Sequence, residues 1–208
     1  MSLVARLPYF TIENLATTGE KAGYLRILLS RYAKSGVLAR LKKGIYVKRS
    51  FLDDVEKKQN LPAYQEFTAN ILNTPSYLSL EYVLYNEGIL TEMPVNFTSV
   101  TLNKTKKFRN EFGNFIYHNI KLELFCGFNR TKINDWEILK ATRAKALFDF
   151  IYFRKDILPD ARAVEELRLN LSGLDAEDKK ELKKYCDIAR DKKVNKIFNL
   201  LDSGFNPE

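Results

Sequence analysis

Apolar residues recur at helical spacing between residues 20 and 35, where Leu25, Leu28, Leu29 and Tyr32 make one stripe. Arg26, Ser30 and Lys34 fall at i, i+4 and i+8 on roughly the opposite face. The pattern predicts a helix over 20–35, with Thr17 and Glu20 in capping-box spacing at its start. Gly36 stands where a left-handed helix stop is expected. Two strand-like runs, VLARL and IYVKR, then flank a Lys42-Lys43-Gly44 turn, and Gly44 can supply the positive φ such a turn demands. Upstream, residues 11–16 predict a short helix capped by Thr11, with Tyr9, Phe10, Ile12 and Leu15 in its core and residues 17–19 as the turn. Only residues 1–7 remain for a helix before it.

The pattern changes after residue 50. Residues 51–62 are polar, mixed in sign and closed by Pro62, which reads as a linker. Helices are predicted over 63–73 and from 76–79 to Gly88. FTSVTL (97–102), GNFIYHN and KLELFCGF read as strands, with a basic hairpin or loop over 104–109. An apolar helix is predicted over 136–153, and charged helices over 160–171 and from Asp175, with Leu182, Tyr185, Ala189, Ile197 and Leu200 on the buried side. Tyr77, Tyr82, Tyr85, Phe97, Phe112, Phe115 and Tyr117 occur in register with aliphatic residues and read as core.

Charge gives the first half of this pattern a meaning. Residues 1–50 hold ten Lys and Arg against two acids, while residues 51–208 hold 24 of each, so the whole net charge of +8 sits in the first quarter. That asymmetry is the footprint of a polyanion-binding module. A helix beside a basic two-stranded ribbon is how winged helix-turn-helix domains hold DNA, the helix in the major groove and the ribbon on phosphates. The basic residues at 104, 106, 107 and 109 are either a second phosphate contact or an exposed turn.

Composition removes other classes. The chain has 208 residues, 45% hydrophobic and 29% charged, and no apolar run approaches a membrane span. The start lacks a signal-peptide pattern, and Cys126 and Cys186 are far apart, which predicts two buried free thiols in a bacterial cytoplasm. One histidine, His118, cannot build a metal site with them, and neither a Gly-x-Ser-x-Gly elbow nor a phosphate-cradling glycine loop occurs. Glu181-Leu-Lys183, a nuclease-like E-x-K run, lies in a predicted helix. Lys145 and Asp149 stand at i, i+4, either as an intrahelical ion pair or as a partner-binding pair. The sequence thus predicts no enzyme chemistry and no cofactor.

In order along the chain, YLRILLSRYAKSGVLARLKKGIYV, PSYLSLEYVLYNEGIL, MPVNFTSVTLNK with GNFIYHNI and FCGF, and ATRAKALFDFIYF resemble the abortive-infection antitoxin (AbiEi-like) family of transcriptional regulators. The matching segments fall within residues 10–153. The resemblance implies an N-terminal winged domain that binds operator DNA and represses its own operon. It also implies a second domain with antitoxin activity against a co-encoded nucleotidyltransferase-like toxin, a type IV toxin–antitoxin system. By position, Lys21, Arg26, Ser30, Arg31 and Lys34 would lie on or beside the recognition helix, and Arg40, Lys42 and Lys43 in the wing, with Lys48 and Arg49 completing the basic set. Two departures stand out: the short stretch before Tyr9, and Arg143-Ala144 where the family has an acid before the Lys-Ala-Leu run.

The expectation is therefore an α+β protein: a winged helix-turn-helix domain over 1–50, a linker over 51–62, a mixed α/β regulatory domain over 63–156 and a helical C-terminal extension over 157–208. Its expected partner is double-stranded operator DNA. The rival readings are a module whose basic patch meets an acidic protein, and a nuclease.

Overall fold

The computed structural model describes residues 4 and 6–202, and it is a mixed α+β fold. A 3-10 turn, Glu13–Thr18, leads into helix α1 (Ala22–Lys34) and the hairpin β1 (Leu38–Lys42) and β2 (Ile45–Lys48). The expected short helix thus starts later and is wound tighter. The Thr11 backbone N–H donates to Asn14 Oδ1 at 2.8 Å. Helix α1 begins after Lys21, with no side-chain cap there; the Thr17 side chain and most of the stretch 1–7 lie outside the described residues. The end matches the expected motif: Gly36 has φ +78° and Val37 N–H reaches Tyr32 O at 3.0 Å. Gly44 has φ +87° at the hairpin turn.

The hairpin is buried on both sides, and this overturns the linker. Leu38 and Tyr46 pack with Val4, Phe10, Leu15, Leu25 and Leu29 in a small core. Ala39, Leu41 and Val47 point the other way, into the main core. Phe10 also pairs with Tyr46 as a short antiparallel bridge. Residues 51–57, read as the first part of the linker, belong to helix α2 (Arg49–Lys57), which sends Leu52 and Val55 into the main core. Pro62, read as a breaker, sits in the first turn of α3 (Leu61–Leu72), where a missing N–H costs nothing.

The rest is built on one six-stranded sheet of order β5-β6-β4-β3-β8-β7. Its strands are β3 (Ser76–Leu78), β4 (Asn96–Thr101), β5 (Lys106–Asn110), β6 (Gly113–Asn119), β7 (Phe128–Ile133) and β8 (Trp136–Ala141). Helix α4 (Leu80–Asn86) follows β3 directly. Helix α3 covers one face, where Tyr117 Oη donates to Ala69 O at 2.5 Å. Helix α5 (Arg143–Arg154) covers the other, where Tyr77 Oη donates to Asp149 at 3.0 Å. Helices α6 (Ala161–Glu165), α7 (Ala176–Ala189) and α8 (Lys192–Asp202) close the chain, with α7 and α8 packed on α5.

Several expected elements differ. Residues 136–141 are strand β8, not the start of the apolar helix, because Thr142 ends the strand and caps α5, its Oγ1 accepting from Lys145 N–H at 3.1 Å. KLELFCGF is not a strand: Leu122–Leu124 is a 3-10 turn and Gly127 turns the chain at φ +73°. The basic loop over 104–109 is mostly strand β5. At the C-terminal end, the expected helix over 160–171 shortens to α6, and the last helix is split in two, with Arg190 in the left-handed region at φ +49°. Among the described residues no helix is long and apolar enough to cross a membrane.

Candidate nucleic-acid interface

Helix α1 buries little of itself. Leu25 and Leu29 are inside, and Leu28 and Tyr32 are half-buried, so the predicted stripe is the attached face. Lys21, Arg26, Ser30, Arg31 and Lys34 are all exposed, as their spacing required. Two apolar residues share that outward face: Tyr24 is 52% and Ile27 63% exposed. Ile27 and Lys34 stand two turns apart, directly opposite the buried stripe. The sequence signal for Ile27 was its place outside the Leu25/Leu29 register. Gly23 also faces out, and a Cβ there would meet nothing within 4 Å.

The hairpin continues this surface. Arg40 and Lys43 are exposed, and the pairing register slips between Arg40 and Lys42, a bulge that bends the tip. Lys42 is different. Its Nζ donates to Leu72 O at the end of α3 at 2.6 Å and lies 5.6 Å from the Phe108 ring centre. Burial pushes the Lys42 ammonium below its ordinary value, and neighbouring Lys106 adds to the effect. Arg49 is also committed, forming an ion pair with Glu111 in the β5–β6 turn. Lys48 is half-buried at the end of β2. Of the ten expected contact residues, Lys42 therefore ties the hairpin to the end of α3, and Arg49 ties the start of α2 to the β5–β6 turn.

Strand β5 comes up beside the hairpin. Asn110 Nδ2 donates to Leu41 O at 2.9 Å, and a cleft of about 580 Å³ is lined by Arg40, Lys42, Lys43, Lys106, Phe108 and Arg109. No carboxylate lines it. Elsewhere on the sheet, cations are paired: Arg130 with Glu137 at 2.8 Å, Lys132 with Asp135 at 2.8 Å, and Lys140 with Glu66 at 2.6 Å. The ion pairs among the described residues include none of Lys21, Arg26, Arg31, Lys34, Arg40 and Lys43.

The other candidate, Lys145 with Asp149, lies on α5 and both side chains are 0% exposed. They form an ion pair, Ser79 Oγ donates to Asp149 Oδ2 at 2.7 Å, and the Lys145 ammonium sits among the rings of Tyr77, Phe148 and Tyr185. A surface contact with a partner is closed to them in this packing. Burial raises the Asp149 carboxyl, with Lys145 opposing that shift. Of the two residues before Lys145, Ala144 is buried, while Arg143 is half-buried and lies 2.8 Å from Asp178. Glu181, of the nuclease-like run, accepts from Thr142 Oγ1 at 3.1 Å and from Tyr185. No group of three or more His, Cys, Asp and Glu able to hold a metal occurs among the described residues. No family model matches the chain, and comparison with curated protein sequences gives no match.

Proposed function

We propose that this chain is a duplex-DNA-binding transcriptional regulator rather than an enzyme, with α1 as recognition helix and the β1–β2 hairpin as wing. The observation that carries the reading is the set of exposed cations on α1 and the hairpin: among the described residues Lys21, Arg26, Arg31, Lys34, Arg40 and Lys43 enter no ion pair, and Arg26 acts on the Glu13 carboxylate only at longer range. Like charges held together without counter-charges cost folding stability, and a polyanion returns that energy on binding. An exposed helix with polar, basic and apolar side chains on one face also has the chemistry to read base edges and thymine methyl groups. The resemblance to the abortive-infection antitoxin family extends the proposal: the regulator represses its own operon and acts against a co-encoded toxin.

The test is a gel-shift measurement on the DNA just upstream of its own gene, against scrambled DNA of equal length, at several salt concentrations. Six engaged cations give a log–log salt slope of about −5 and a preference for the upstream DNA. Equal, weak binding to both DNAs would instead leave an acidic protein as the partner of this surface.

A further inference from the structure

The cleft between the hairpin and β5 joins two segments far apart in sequence. We infer that Lys106 of β5, together with Arg40 and Lys43 of the hairpin, forms a further phosphate-binding site that extends the duplex-DNA contact onto the six-stranded sheet. The inference rests on the DNA-binding reading above and adds a residue that this reading does not use. Five cationic residues line the cleft, with no acid among its lining residues. Lys42 and Lys106 are close enough to depress the Lys42 ammonium after burial has done so.

The ordinary explanation for lysines on β5 is protection of a sheet edge, since charged residues there discourage edge-to-edge pairing. The sheet contains its own control. Strand β7 is the opposite edge, and its cations Arg130 and Lys132 are each neutralised by a nearby carboxylate. Edge protection has no need to leave one edge paired and the other bare. Phosphate binding does, because a counter-ion already in place would compete with the ligand. Alternation along β5 gives a second control. Lys106 opens into the cleft, whereas Lys107 turns to the other face, towards Ile116, His118, Glu81 and Glu166.

Adjacent lysines of equal charge thus face different surroundings, and this makes the test clean. Lys106→Gln and Lys107→Gln, each checked by thermal melting, would be titrated against a labelled 40-base-pair duplex from upstream of the gene across a range of KCl. Lys106→Gln is expected to weaken binding about fivefold at moderate salt and to flatten the log–log slope by about one, while Lys107→Gln keeps the wild-type slope. Equal losses from both variants, or no loss from Lys106→Gln, would overturn the site while leaving wild-type DNA binding intact. A wild-type protein that binds no duplex would overturn both readings at once. Displacement of DNA by poly-glutamate at equal charge, sensitive to Lys106→Gln, would assign the cleft to an acidic polypeptide and also overturn it.

Discussion

Lys42 Nζ donates a 2.6 Å hydrogen bond to the Leu72 carbonyl, so the tip of the basic hairpin caps the C-terminal end of α3. A cation at that end meets unsatisfied carbonyls and the negative pole of the helix. Neighbouring Lys43 has no such partner and is exposed. The two lysines therefore separate in their effects. Lys42→Met is expected to cost about 1–2 kcal/mol of stability, and Lys43→Ala to stay within about 0.5 kcal/mol while weakening every duplex alike. Urea denaturation of the two variants decides this, and equal stabilities would remove the capping role.

The buried Lys145–Asp149 pair calls for a larger effect. Removing either partner strands the other charge inside α5, and Asp149 also accepts from Tyr77 and Ser79. Lys145→Met or Asp149→Asn should each cost about 3–5 kcal/mol. The double variant should cost less than the two singles added, since it leaves no charge uncompensated. A measured sum that is strictly additive would show that the pair is not coupled.

How much of this was legible in the sequence depended on how many signals converged. The α1 stripe, the Gly36 stop and the Gly44 turn each had a local cause, and all three formed. Helix α2 was missed because it is short, offers only Phe51, Leu52 and Val55 to the core, and its charges resemble a solvated loop. Strand β8 was absorbed into a helix because a short apolar run fits both periods. The arbiters were Thr142, a helix cap, and Asn134-Asp135, whose positive φ values of 50° and 69° make the two-residue turn of the β7–β8 hairpin. The burial of Lys145 could not be read from its i, i+4 spacing, since exposed pairs have the same spacing. Nor could the meeting of β5 with the hairpin, which is a tertiary fact.

His118 supplies a pH dependence. Burial against Phe153 holds its imidazole below the ordinary value of 6.5, with Glu81 opposing and Arg154 and Lys107 reinforcing the shift. The folded chain therefore binds fewer protons than the unfolded chain just below pH 6.5, so this contribution is complete above that pH and is lost on acidification. Stability should fall by less than about 1 kcal/mol between roughly pH 7 and 5.5, and His118→Gln should flatten that part of the profile. Denaturation curves for both proteins over this range provide the comparison; a variant with an unchanged profile would exclude His118 as the source.

On the DNA-binding reading proposed above, Ile27 offers a test of how a duplex is read rather than whether it is held. At 63% exposure it joins neither core cluster of the described residues, and it lies midway across the outward face of α1. An aliphatic group in the major groove gains most from the thymine C5-methyl group. Replacing thymine by uracil in the bound duplex removes only that methyl and leaves the pairing edges and phosphates unchanged. Wild-type protein should then lose affinity by about fivefold if one methyl contact of roughly 1 kcal/mol is deleted. Ile27→Ser should bind the thymine and uracil duplexes equally, with its salt slope unaltered because no phosphate contact is touched. A variant that still discriminates the two duplexes would move the methyl contact to Tyr24, the other exposed apolar side chain on this face.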